Sequence, residues 1–140
     1  MEPYTQESQS GKVEELYLDT RYWRSNIKFM DDEMHFIQKL LNSYVFEPNT
    51  PNLFERLHDY QERMKKTVLK KNEVTNRISR HERNLGGMLE CMDDACDLLY
   101  YRQHERLKAE VAGFKEEFRN LKADIFQYAG GILKKRKPLP

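Results

Sequence analysis

The sequence predicts an all-α protein, an antiparallel three-helix bundle with long coiled-coil-like helices. Three observations carry this. Apolar residues recur at alternating steps of three and four along most of the chain, the signature of a helical face buried against other helices. Charged residues make up 34% of the 140 positions and there are only 6 Gly and 5 Pro, a mix that suits long helices better than a sheet. The residues that interrupt helices gather at two places, "FEPNTPN" and the stretch from "LGGM" to "DDACD".

The first helix is expected over 11–46. Val13, Leu16, Thr20, Trp23, Ile27, Met30, Met34, Ile37, Leu41 and Tyr44 form its seam. It stops because Glu47 precedes Pro48 and is pushed out of helical geometry. Thr50 followed by Pro51 reads as an N-cap with proline at the first helical position. The second helix, 51–91, carries Leu53, Leu57, Tyr60, Met64, Val74, Ile78, His81, Leu85 and Met88, with Thr67 and Lys71 interrupting the middle. Gly86 and Gly87 could end it, but the apolar pattern runs on, so the turn is placed near 91–94 with Asp93 or Asp94 capping the third helix. That helix, 94–129, carries Leu107, Val111, Phe114, Phe118, Leu121, Ile125 and Tyr128, and "AGG" offers Gly130 as a left-handed cap. The organisation is then a disordered N-terminus (1–10), a single helical-bundle domain (11–129) and a basic flexible tail (130–140).

An antiparallel hairpin of helices 1 and 2 pairs Tyr44 with Leu57, Ile37 with Met64, Trp23 with Ile78 and Leu16 with Leu85. Helix 3, parallel to helix 1, sets Ile37 beside Leu121, Met30 beside Phe114 and Trp23 beside Leu107. In this frame the acid-rich "KFMDDEMHFI" (28–37) turns Met30, Met34 and Ile37 inward, while Asp32 and His35 point to water. "ERLH" likewise buries Leu57 and exposes Glu55 and His58. A di-metal bundle needs such carboxylates pointing inward, so both runs read as solvated faces.

Net charge is +1, which gives no ground for nucleic-acid binding or anionic membranes. Residues 63–83 hold eight bases and two acids, while residues 1–50 hold nine acids and five bases. The g column of helix 2 (Arg63, Lys70, Arg77) is therefore expected to match the g column of helix 1, which includes Asp19 and Glu33. No apolar run approaches the roughly 18 residues of a membrane span, and "MEPYTQESQS" lacks the charged and apolar regions of a signal peptide. The expectation is a cytoplasmic protein with Cys91 and Cys96 as reduced thiols.

His81 falls at d of helix 2 and His104 at a of helix 3, both beside Thr20. Histidine and cysteine are ligands for borderline and soft metals, so His81, His104, Cys91 and Cys96 are the candidate metal ligands. The same residues also read as a polar layer that fixes register through hydrogen bonds to Thr20 and Tyr100. Cys-x4-Cys is not a zinc-knuckle spacing, so no metal ligand is assigned and no cofactor is expected. No Gly-rich phosphate loop follows a strand, and no nucleophile arrangement surrounds His81, so no enzyme activity is expected. Helix 1 carries a second apolar column, Tyr22, Phe29 and Phe36, with Leu40 one turn on, which is the candidate interface.

"RSNIKFMDDEMHFIQKLL" (24–41) and "HERLKAEVAGFKEEFRNLKADIF" (104–126) resemble two stretches of small uncharacterised helical-bundle proteins of Bacteroidetes-type bacteria. The resemblance covers the first and last helices and implies a cytoplasmic bundle with no known activity. The function expected from the chain is a non-catalytic protein–protein interaction or structural module that self-associates as a homodimer, with another protein as the second class of partner. The alternative is a small metal- or cofactor-binding bundle built on a His81/His104 layer.

Overall fold

The computed structural model describes residues 4–43 and 51–136, with side chains from 53 to 132 in the second stretch. Three helices account for nearly all of it: α1 (Gln6–Leu41), α2 (Pro51–Leu85) and α3 (Asp94–Arg136), with a 3₁₀ turn at Gly86–Glu90 between the last two. There is no strand among the described residues. The expected turn after Leu41, with Tyr44, Glu47, Pro48 and Thr50, lies outside the described residues; α2 does begin at Pro51.

Both outer boundaries differ from expectation. α1 starts inside the segment expected to be disordered. Thr5 Oγ1 accepts a hydrogen bond from the Ser8 N–H at 3.0 Å, which makes Thr5 an N-cap, and Gln9 is fully buried. At the other end, α3 passes through Gly130 and Gly131 to Arg136, and no glycine has a positive φ. The left-handed cap expected at Gly130 is absent. Helix interior costs glycine only about 1 kcal/mol relative to alanine, and the burial of Ala129 at the same turn favours continuation.

Within the stretch read as one domain, the chain forms two compact units. One draws on α1 up to Lys28, α2 from Asn72 and α3 up to Gly113; the other on α1 from Phe29, α2 up to Lys71 and α3 from Phe114.

In the first unit α1 and α2 are antiparallel. Tyr17 Oη donates to the Glu82 carbonyl at 3.1 Å, and Arg24, seven residues on, donates to Ser79 and Glu82. α3 runs parallel to α1, with Lys12 on Asp97 and Asp19 on His104. The core at one end is Val13, Leu16, Leu85, Met88 and Cys91, lined by Tyr17, Cys96, Tyr100 and Tyr101. Trp23, Ile27, Val74, Ile78, Leu107 and Val111 are buried further along. The α2–α3 connection is set by chemistry the sequence made visible. Cys91 is extended after the 3₁₀ turn, and Asp93 Oδ1 accepts from the Cys96 N–H at 2.8 Å, capping α3. Gly87 leaves room for Tyr100: a Cβ there would stand 2.4 Å from the Tyr100 hydroxyl.

The second unit has the same helix directions. Asn42 meets Gln61 at 3.2 Å, and Glu33 meets Lys122 at 2.6 Å. Met30, Met34, Ile37, Leu41, Leu53, Tyr60, Met64, Phe114, Phe118, Leu121 and Ile125 are buried. Asp32 and His35 are exposed, as expected for a wet face. Asp31 is different. It pairs with Lys71, the cation that interrupts the helix 2 seam, and so supplies a counter-charge for a group held at a core position.

One charge expectation is overturned. Arg63, Lys70 and Arg77 pair with Asp124, Glu117 and Glu110 of α3, not with acids of α1. Glu33 and Asp19 also turn to α3, meeting Lys122 and His104. The heptad column fixes that these side chains flank a seam, but not which of two neighbouring helices stands on that flank.

Candidate functional site

The first unit contains a chain of three hydrogen-bonded titratable side chains, one from each helix. His81 Nε2 lies 2.8 Å from His104 Nδ1. His104 Nε2 lies 2.8 Å from Asp19 Oδ2. Trp23 stacks on the His104 ring with centroids 4.8 Å apart. His104 is 1% exposed and His81 7%, whereas the Asp19 side chain is 50% exposed.

The order of partners limits the tautomers. Ionised Asp19 only accepts, so His104 Nε2 carries the hydrogen. A neutral His104 accepts at Nδ1 from a hydrogen on His81 Nε2, which leaves His81 Nδ1 a lone pair; a protonated His104 donates from Nδ1 to His81 Nε2, which leaves an N–H at His81 Nδ1. Burial, then the neighbouring His104, push the His81 pKa below its ordinary value, with Glu82 opposing. His81 is therefore neutral at pH 7.

The sequence correctly brought His81 and His104 together, but their third partner is Asp19 rather than Thr20 or Tyr100. Thr20 is buried and donates to its own helix, at the Tyr17 carbonyl, 2.8 Å. Beside the relay, Arg24 holds Glu82 through a hydrogen bond at 2.6 Å. That bond, against the cost of burial, keeps the Glu82 carboxyl below its usual range.

A second polar cluster was missed because it draws on the segment read as disordered. Asp97 is 6% exposed. It accepts from Gln9 Nε2 and from Lys12 Nζ, each at 2.8 Å, and Gln9 Nε2 also reaches the Met88 carbonyl at 2.9 Å. Burial alone would raise the Asp97 pKa; the bonds from Lys12 and Gln9 and the Lys12 charge outweigh it, so the carboxyl sits below its ordinary value. Tyr4 donates to Asp94 nearby, which pushes the phenol up to about 12. A signal was available: Gln9 lies four residues before Val13, in phase with the helix 1 seam.

Cys91 and Cys96 form a disulfide, with Cα atoms 5.5 Å apart, so the expectation of two reduced thiols is corrected. Five residues apart across an extended turn, the two Cα atoms fall at an ordinary bridging distance. Such bonds persist in oxidising surroundings. The bridge removes both thiols from the candidate metal ligands. Of the remaining candidates, His81 and His104 direct nitrogens at each other, whereas two imidazoles on zinc aim their lone pairs at a common ion about 2.0–2.1 Å from each. Among the described residues no group of three or more His, Cys, Asp or Glu side chains is arranged to hold a metal ion.

The candidate interface residues are placed unevenly. In the first unit Tyr22 is 64% exposed. In the second, Phe29 is 66% and Phe36 59% exposed, and Leu40 is half-buried. Phe36 meets Phe126 of α3 with ring centroids 6.4 Å apart, and Phe126 is itself 40% exposed. α3 thus borders this face without covering it. No helix among the described residues is long and apolar enough to cross a membrane. Comparison with protein-family models, curated proteins and solved structures returns no match for the chain.

Proposed function

We propose that the protein is a non-catalytic helical interaction module that self-associates through the aromatic face of the second unit. The observation that carries this is the grouping of Phe29, Phe36 and Phe126 in water on adjoining helices, with Leu40 at the edge. Scattered exposed apolar residues need no explanation, but several on one face mark a contact surface. A phenylalanine brings about 150–250 Å² to an interface, and two copies meeting face to face give a two-fold, self-complementary contact.

The metal-binding alternative is less well supported, because its two histidines already satisfy one another and its two cysteines are bridged. Sedimentation equilibrium of the wild type beside Phe29→Glu/Phe36→Glu tests the reading. Both positions are exposed, so the variant keeps its fold. The wild type is expected to dimerise with rising concentration and the variant to stay monomeric. A wild type that remains monomeric at high micromolar concentration refutes the proposal, and a variant that still dimerises refutes this face.

A further inference from the structure

We propose that the first unit carries a binding site for a small dianionic oxyanion of the sulfate or phosphate class, with His81 at its base and Arg80 and Arg106 as its walls. A groove of about 220 Å³ opens between α2 and α3, lined by these three side chains together with Asn84 and Gln103.

Its charge is only partly neutralised from within: Arg77 and Glu110 also border the groove and pair with each other. Arg80 and Arg106 have no ion-pair partner among the described residues. Two planar guanidiniums facing one space, with amide donors beside them, suit the oxygens of a tetrahedral anion, which they can grip with paired N–H bonds. A long polyanion fits less well. Nucleic-acid backbones are held by a row of cations, and Arg63, Lys70 and Arg77, the natural row on α2, are each committed to an acid of α3.

His81 gives the site a protonation step. Its Nε2 is engaged with His104, and Nδ1 makes no hydrogen bond among the described residues. His81 itself lines the groove. Where Nδ1 is a lone pair, a proton added there leaves the bonds to His104 and Asp19 in place. The protonated ring then presents a second N–H to the anion.

The surrounding charges agree with this assignment. From α1, Asp19 acts through His104, and Arg24 is occupied by Glu82. From α2 and α3, Glu82 and Glu110 are each already paired with an arginine, which leaves Arg80 and Arg106 as the uncompensated neighbours. Burial and His104 disfavour the proton on His81 in the empty site, and a bound dianion beside the ring favours it. Anion binding and proton uptake at His81 are therefore linked.

The test is a heteronuclear NMR titration of the full chain with sodium sulfate, against sodium chloride at equal ionic strength. Sulfate stays a dianion from pH 5.5 to 8, so any pH dependence belongs to the protein. Saturable shifts confined to residues around 77–84 and 103–110 are expected. Affinity should be higher at pH 5.5 than at pH 8, by up to about thirtyfold, the effect of one added charge about 4 Å from a dianion in a water-like medium. Arg80→Gln/Arg106→Gln, at exposed positions, should abolish saturation with the helical circular dichroism unchanged. His81→Gln should retain weak binding that no longer varies with pH. Sulfate shifts no different from those of chloride overturn the proposal, as does binding that survives the double arginine variant. Equal affinity at the two pH values overturns the role given to His81. Tight, length-dependent binding of a single-stranded oligonucleotide in place of sulfate would make the surface a polyanion site instead.

Discussion

Lys71 stands at a core position of α2 and is tied to Asp31 of α1, and the two partners respond oppositely to removal. The Lys71 side chain is 15% exposed and that of Asp31 32%, so the pair lies between the surface and interior limits. Breaking a fully buried pair by deleting one partner costs about 3–5 kcal/mol, whereas an exposed pair is worth about 0–1 kcal/mol. Asp31→Ala leaves the ammonium with its stem buried and its counter-charge gone, and should cost about 1–3 kcal/mol, between those limits. Lys71→Met removes the charge and keeps the volume. It should be neutral or stabilising by about 1 kcal/mol, because an apolar side chain carries no desolvation penalty. In the Asp31→Ala/Lys71→Met double variant the loss should disappear, since the buried-stem ammonium is gone. For a chain of this length 1 kcal/mol moves the midpoint by about 3–5 °C, so the single variants should fall on opposite sides of wild type. Urea and thermal unfolding followed by far-UV circular dichroism give all four corners of the cycle. If Lys71→Met destabilises as much as Asp31→Ala, the pair is a net source of stability and the reasoning is wrong.

Trp23→Ala removes a side chain that is 5% exposed and stacked on His104, and should cost about 3–5 kcal/mol in the same assay, against less than about 0.5 kcal/mol for the exposed Asp32→Ala. Acid should weaken the protein in two stages. His81 has a folded pKa below its ordinary 6.5 and Asp97 below its ordinary 3.8. In each case the unfolded chain takes up the proton first as pH falls, so stability is lost from the unfolded pKa down to the folded one. His81→Gln should flatten the first stage and Asp97→Asn the second, in urea midpoints measured across pH 2–8. Reduction of the Cys91–Cys96 bridge, or replacement of both residues by serine, should lower stability by at most about 2 kcal/mol, the loop-closure value for so short a ring. A larger loss would mean that the bridge holds more than the turn.

The helix seams were legible because burial follows spacing. Leu16, Trp23, Ile27, Met34 and Ile37 are buried at steps of three, four and seven, and the same arithmetic put His81 and His104 in one layer. What spacing could not give was direction around the helix axis. Asp19 and Thr20 are chain neighbours near that layer, and only the position of α3 beside α1 decides that Asp19 reaches His104. The same ambiguity sent Arg63, Lys70 and Arg77 to the wrong helix. Gln9 was lost for a different reason. A polar residue in a polar segment carries no hydrophobic signal, although its phase matched the seam and Asp97 supplied its partner. The disulfide depends on the redox surroundings as well as on reach, and five-residue spacing speaks only to reach.

The charge ladder between α2 and α3 repeats every seven residues, which makes it a ruler with identical marks. Slide α3 by one heptad and Arg63 would find Glu117 and Lys70 would find Glu110, with Arg77 left facing Gln103; slide it the other way and Lys70 would find Asp124 and Arg77 Glu117, with Arg63 left facing Gly131. Such a ladder loses one exposed rung per slip and so chooses only weakly among alignments. The choice falls to the unrepeated pairs. Displaced by seven residues, His81 would face Asp97 or Val111 in place of His104, and Lys71 would face Arg24 or Gln38 in place of Asp31. In this bundle uniqueness resides in the few polar residues that break the pattern, at positions where a purely apolar seam would have been equally content in several alignments.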